Sequence, residues 1–186
     1  MNTNDLFWLA GIWEGEGTIA VYRHGRERDD DNNRLVAFIA IANNDPNIIE
    51  AADRIIRRMD VVMQVVNRER PNERHAAGYL LQCRKFEDIH TVLSHIVPYM
   101  KGQKRAIGIL TMRFIESRLR RLKINRNMPP TELDDRLHLG IRKLNKRGQD
   151  KIKMDTSETI RKALTASEDI VRTNGKPLEA GSKSQR

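Results

Sequence analysis

Leu6-Phe7-Trp8-Leu9-Ala10-Gly11-Ile12-Trp13-Glu14-Gly15-Glu16-Gly17 is the stretch on which the reading of this chain turns. From Leu6 to Trp13 every residue except Gly11 is apolar, and two glutamates follow, each trailed by a glycine. Opened by Asn4 or Asp5 at the N-cap, the segment predicts a helix that is apolar all the way round. Such a helix is expected to be buried on more than one side. Gly11 and Gly15 fall four apart on one helical face, where missing side chains admit another backbone. A glycine inside a helix costs roughly 0.5–1 kcal/mol against alanine, so a close helix–helix contact is expected to compensate. Glu14 and Glu16 stand at the C-terminal end, where the macrodipole disfavours negative charge. Carboxylates placed there need a cation. By itself the pattern is also that of a core helix followed by an acidic turn.

Outward from this helix, residues 18–24 alternate as a strand, residues 25–33 form a polar turn, and residues 35–42 form a second strand. Asp45 and Pro46 then start a helix as N-cap and first-turn proline, with Ile48, Ile49, Ala52, Ile55, Ile56 and Met59 on its apolar face. Strands are expected over 61–70 and 75–84, joined by a turn containing Pro71 and Asn72. A short helix over 86–97 is ended by Pro98, and a longer one over 104–122 carries Ile107, Leu110, Phe114, Ile115 and Leu119 inward. Two helix–hairpin units and a closing helix predict an α+β fold: αββαββα, with a four-stranded antiparallel sheet and helices on one face. We divide the chain into a core domain over 1–125, a C-terminal helical extension over 126–173, and a tail over 174–186. The extension holds a helix capped by Thr131, a basic loop, and a second helix from a capping box at 155–158 to about 171. The tail, rich in Gly, Ser and Lys, is expected to be disordered.

Lys+Arg number 34 against 25 Asp+Glu, a formal charge of +9. That excess favours a polyanionic partner. Its cations are scattered over several elements instead of lining one amphipathic helix, which argues against a membrane surface. No apolar run approaches the roughly 18 residues that span a bilayer, and no signal-peptide pattern opens the chain. Cys83 is the sole cysteine, so neither a disulfide framework nor a cysteine zinc site is available. A reducing, intracellular compartment is expected. The five histidines form no metal-spaced pair.

Leu9 to Gly17 resembles the nine-residue signature of the LAGLIDADG homing endonucleases, with glutamate in both acidic positions. Residues 156–164, Thr-Ser-Glu-Thr-Ile-Arg-Lys-Ala-Leu, are similar to a segment near the end of the homodimeric intron-encoded members. The resemblance spans roughly residues 4–172 and implies the same αββαββα fold. It also implies that Glu16, with the Gly15 carbonyl, holds an essential Mg²⁺, for which Mn²⁺ may substitute while Ca²⁺ supports binding without cleavage. Glu14 takes the more structural first acidic position. Only one acidic motif exists in the chain, so a C2 homodimer through Leu9, Gly11, Ile12, Glu14 and Gly15 would bring two catalytic ends together. Paired sites of this kind stabilise both the attacking and the leaving oxygen of a phosphodiester. Family enzymes place a lysine beside the cleavage site in a K-G-K pattern. Here that position is Gln103, a departure that leaves Lys104 or Lys101 to substitute, or activity weakened. Asn43 fits a water-orienting polar residue, and equally an extra helix cap.

Double-stranded DNA would be read by the sheet face away from the helices. The candidates are Thr18, Ala20, Tyr22, His24, Arg26, Arg34, Arg68, Arg70, Gln82 and Arg84. Four polar-faced strands are expected to present them. Lys146, Arg147, Lys151 and Lys153 in the basic loop would reach flanking phosphates. The implied activity is cleavage of a long, near-palindromic site leaving 3′ overhangs. A DNA-binding regulator on a catalytically weak fold and a maturase acting on intron RNA are the rival readings.

Overall fold

The computed structural model describes residues 1–24, 34–68, 78–122 and 129–145. The basic loop with Lys146, Arg147, Lys151 and Lys153, the expected helix to about 171 and the tail lie outside them, as do Arg26 and Arg70. The elements run α1 (Thr3–Glu16), β1 (Gly17–His24), β2 (Arg34–Asn43), α2 (Pro46–Arg57), β3 (Gln64–Arg68) and β4 (Gly78–Cys83). Then come α3 (Phe86–Ile96), a 3₁₀ turn (Val97–Tyr99), α4 (Gly102–Leu122) and α5 (Glu132–Asn145). The expected α+β order is therefore present, with α5 added after it. The sheet is antiparallel throughout, in the order β1-β2-β4-β3. Among the described residues no helix is long and apolar enough to cross a membrane.

Alternation builds the core. Ile19 and Val21 of β1, with Leu35, Ala37, Ile39 and Ile41 of β2, point to the helical side and are buried, as is Leu81 of β4. Against them lie the buried faces of the helices: Ile49, Ala52 and Ile56 of α2, Ile89, Val92, Leu93 and Ile96 of α3, and Ile107, Phe114 and Ile115 of α4. Phe86 meets Phe114 edge-on at 5.9 Å. α5 packs on α4 and β1 through Leu137 and Ile141.

Three boundaries differ from expectation. α1 starts earlier, because Asn2, not Asn4 or Asp5, is the N-cap, its side chain accepting the Asn4 N–H. Asp5 is instead ion-paired at 2.7 Å with Arg58, which ties α1 to the end of α2. β3 starts later: Asp60 takes a left-handed φ of 59°, and the turn delivers Val61 and Met63 into the core before pairing begins at Gln64. α4 begins at Gly102, whose φ of +57° suits glycine.

Between α1 and β1 there is no loop. Gly17 passes directly from helix to strand, its N–H donating back to the Trp13 carbonyl. The buried Trp13 indole lies across it: a Cβ on Gly17 would stand 2.2 Å from Trp13 Cδ1 and 2.5 Å from the Trp13 carbonyl oxygen. Gly11 and Gly15 are the opposite case, with nothing within 4 Å of either position. Gly17→Ala should therefore cost about 1–3 kcal/mol by overpacking, a fall of roughly 2–4 °C in Tm per kcal/mol for a chain this size. In the single chain Gly11→Ala and Gly15→Ala should leave the fold as stable or firmer. Thermal melts of the three variants check the contrast.

Candidate functional site

The C-terminal end of α1 collects the acidic residues of the opening stretch. No basic residue occupies the last turn of α1 itself, so helix carbonyls and two glutamates share one corner. The cation comes from α4: Lys104 Nζ donates to the Trp13 carbonyl at 2.8 Å and to the Gly17 carbonyl at 2.6 Å. It thereby supplies donors to groups that a helix end leaves short. The half-buried Glu14 carboxylate accepts the backbone N–H of Lys101, which fastens the start of α4 to α1. Glu16 differs. It is exposed and, among the described residues, has neither a hydrogen bond nor an ion pair. One acid is structural and the other is open to a ligand.

Glu16 with the Gly15 carbonyl offers hard oxygen donors, the type that Mg²⁺ and Ca²⁺ take. Among the described residues no group of three or more His, Cys, Asp or Glu gathers here or elsewhere. The set thus fits an ion that keeps most of its waters and uses one carboxylate with substrate phosphate. It does not fit a closed protein cage.

The loop before α4 is brought to this corner, and its residues divide. Lys101 is exposed. Gln103 donates its side-chain amide to the Leu144 carbonyl near the end of α5, so it ties α5 down and is not aimed at the glutamates. Asn43 lies at the same end of the sheet, two residues beyond Ile41, which pairs with Gly17. Its Oδ1 accepts the Asp45 N–H at 2.8 Å, and Asp45 caps α2. The bond closes the turn that leads into α2, and it is made to the cap residue itself, not to an N–H of the helix's first turn. Asn145 went unnoticed in the sequence: its side chain donates to the Ile19 carbonyl at 2.9 Å, holding the end of α5 to β1. Nothing local signals a partner so distant along the chain.

The outer side of α1 differs from the expected interface at one residue. Leu9 is wholly buried in the chain's own core, so it does not lie on the glycine face. The residues beside Gly11 and Gly15 are Phe7 and Trp8, 57% and 38% exposed, with Ile12 at the rim. Tyr99 packs edge-on against Phe7 at 4.8 Å. Within one chain, then, α1 is buried on one side only, and an apolar face with two glycines is left open.

The sheet side away from the helices carries Thr18, Ala20 and Tyr22 of β1, Arg34 of β2, Gln64 of β3, and Gln82 of β4 with Arg84 just beyond it. Backbone register puts positions 24 and 68 on it too. Arg23 points the other way and pairs with Asp135 of α5 at 2.8 Å. The Gln82 amide donates to Gln64 at 3.1 Å. This face is not polar on all four strands: β2 contributes Val36, Phe38, Ala40 and Ala42. Tyr22 meets Phe38 at 6.4 Å, and the Arg84 guanidinium sits 5.6 Å over the Phe38 ring.

No model of a known protein family matches the sequence, and no curated protein matches it. Solved structures do. The homing endonuclease I-CvuI, in complex with the I-CreI target and Mg, superposes with a TM-score of 0.55 over 89% of this chain and 97% of that one, at 20% identity. The archaeal intron-encoded homing endonuclease I-Vdi141I, complexed with DNA, gives a TM-score of 0.59 over 87% and 98%, at 14% identity. The LAGLIDADG homing endonuclease I-GzeII, in complex with its DNA target, gives 0.54 at 14% identity, covering 97% of this chain but 54% of that one. Its helix-ended acidic corner, its sheet and its helical layer give this chain the fold of the LAGLIDADG homing endonucleases.

Proposed function

We propose that this chain is a sequence-specific, divalent-metal-dependent double-stranded DNA endonuclease that works as a homodimer. The observation that carries the reading is the open Glu16 carboxylate at the end of a helix whose outer face is apolar, glycine-notched and uncovered. One carboxylate end per chain serves one strand of a duplex, and a second copy docked through the same face supplies the other. Coverage supports this stoichiometry, since one copy spans nearly all of I-CvuI and about half of I-GzeII. Those proteins are described with DNA, and I-CvuI with Mg in one complex and Ca in another.

Mg²⁺ would be held by Glu16 and the Gly15 carbonyl. When bound, it neutralises charge developing on the phosphodiester. Lys104 keeps the end of α1 in place, and Glu14 fixes the loop so that Lys101 stands beside the acidic corner. The sheet's open face reads the duplex, and the two-fold axis imposes a near-palindromic site. By the family's geometry the cut leaves 3′ overhangs. A second reading, a DNA-binding regulator with little cleavage, is favoured by one observation: the Gln103 amide is committed to α5 and brings no cation to the cleavage position.

Selection from a randomised duplex library, in Mg²⁺ and in Ca²⁺, tests both. Wild type should enrich one sequence class in either ion and cut it only in Mg²⁺. Glu16→Gln should bind without cutting and melt no lower than wild type, because the exposed carboxylate opposes the helix dipole. Selective binding by wild type with no cutting would establish the regulator. Lys104→Met should lower both cleavage and Tm, the latter by about 1.5–3 kcal/mol of stability for charge-assisted hydrogen bonds. Gly11→Leu has room to fold in the single chain, yet should sediment as a monomer; a dimeric variant would refute the α1 interface. Log affinity should fall with log salt at about 0.9 per phosphate contact.

A further inference from the structure

The open sheet face has a feature that a phosphate-binding surface does not need. Across β1 and β2 it carries a strip of half-buried apolar side chains: Tyr22 opposite Val36, and Phe38 opposite Ala20. The strip is bordered by exposed Arg34 and Arg84. Val36 and Phe38 lie on the strand side away from every helix, so they are not part of the core made by Leu35, Ala37 and Ile39. The Arg84 side chain has no hydrogen bond or ion pair among the described residues. It is held by its approach to the Phe38 ring at 5.6 Å, which leaves its planar N–H groups available.

A cationic rim matches a polyanion, but an apolar centre needs an apolar group to meet. On the major-groove edges of DNA that group is the C5-methyl of thymine, while guanine offers O6 and N7 to an arginine. Resting on the DNA-reading function above, we propose that Tyr22, Val36 and Phe38 select thymines through their methyl groups, with Arg84 taking a neighbouring guanine. Recognition then depends on a group that uracil lacks. An A-form RNA duplex lacks the methyl and also closes its major groove to side chains, so this surface selects DNA over RNA.

The test uses duplexes enriched from the randomised library, with each thymine replaced in turn by deoxyuridine and affinity measured in Ca²⁺. Wild type should bind about fourfold more weakly for each methyl removed opposite the strip, at one or more positions in each half-site. Phe38→Ala should bind the thymine and uracil forms alike at one of those positions, and Phe38→Leu should keep the discrimination. Val36→Ser, which removes both methyls, gives the same readout should Phe38→Ala melt early. Uracil tolerated at every position by a wild type that still selects sequence overturns the methyl reading and leaves DNA recognition standing. Undiminished thymine preference in both Phe38→Ala and Val36→Ser overturns the assignment to this strip. Failure to enrich any duplex removes the underlying DNA function as well.

Discussion

A lysine ammonium at the end of a helix holds this molecule's acidic corner together. α1 terminates in two glutamates, so its negative dipole end and its side chains carry the same sign. Neither can be relieved within the helix, because no basic residue lies in its last turn. Lys104 relieves the dipole end from a different element, about 90 residues downstream, by donating to the carbonyls on either side of the acidic pair. The Trp13 carbonyl thereby accepts two donors, Lys104 Nζ and the Gly17 N–H. With no loop between helix and strand, the same contact fixes where β1 begins, and with it the register of the sheet. The Trp13 ring over Gly17 then excludes any side chain there. A long-range charge contact and a short-range steric one thus act on the same five residues.

α5 is fastened to this arrangement at both ends. At its start Asp134 is fully buried, accepting from Arg121, Ser117 and the Thr131 N–H, while the Thr131 hydroxyl accepts the Asp134 N–H in return. Burying a carboxylate is costly unless it is paired and its lone pairs are filled, and here several donors converge on it. At the other end Gln103 and Asn145 join α5 to α4 and to β1. Between them Asp135 pairs with Arg23. The ionic contacts need a particular rotation of α5, which apolar packing by Leu137 and Ile141 alone would leave loosely specified. Directly after this helix comes the basic segment 146–153.

Much of this was legible in the residues, and the exceptions share a physical cause. Strand alternation, the prolines at 46 and 98, and the acidic end of the first helix are local signals, and the element order follows from them. The phase of α1 is not local: a helix apolar all round has no moment to say which side goes inward, so Leu9 goes to the core and Trp8 to the outer face only once the sheet is present. Residues 35–42 pose the same problem as a strand. An unbroken apolar run hides its alternation, and the open-face strip of Val36 and Phe38 stays invisible until pairing shows which side the helices cover. Asn2, Asn4 and Asp5 can all cap a helix, and only the distant Arg58 draws Asp5 away. The cation required by the two glutamates was foreseeable as a need. That Lys104 brings a cation to the carbonyls of this helix end while Gln103 turns to α5 depends on contacts many residues apart.

The two faces of α1 explain why its glycines persist. On the inner face Leu6, Leu9, Ala10 and Trp13 are buried and stabilise the single chain. On the outer face Gly11 and Gly15 each cost roughly 0.5–1 kcal/mol of helix stability, and nothing among the described residues offsets that loss, since outside the helix's own backbone none comes within 4 Å of where a Cβ would stand on either. Phe7 and Trp8 add apolar area that water covers poorly. In the proposed dimer both deficits are met by one event, because a second α1 can approach only where side chains are missing and aromatic rings flank the gap. The same approach carries two Glu16 carboxylates toward the axis, where they repel. A divalent cation shared with a bound duplex offsets that repulsion, so metal, DNA and the second subunit each favour the binding of the others. Assembly would then be strongest on the substrate, and an isolated chain would keep its acidic end open.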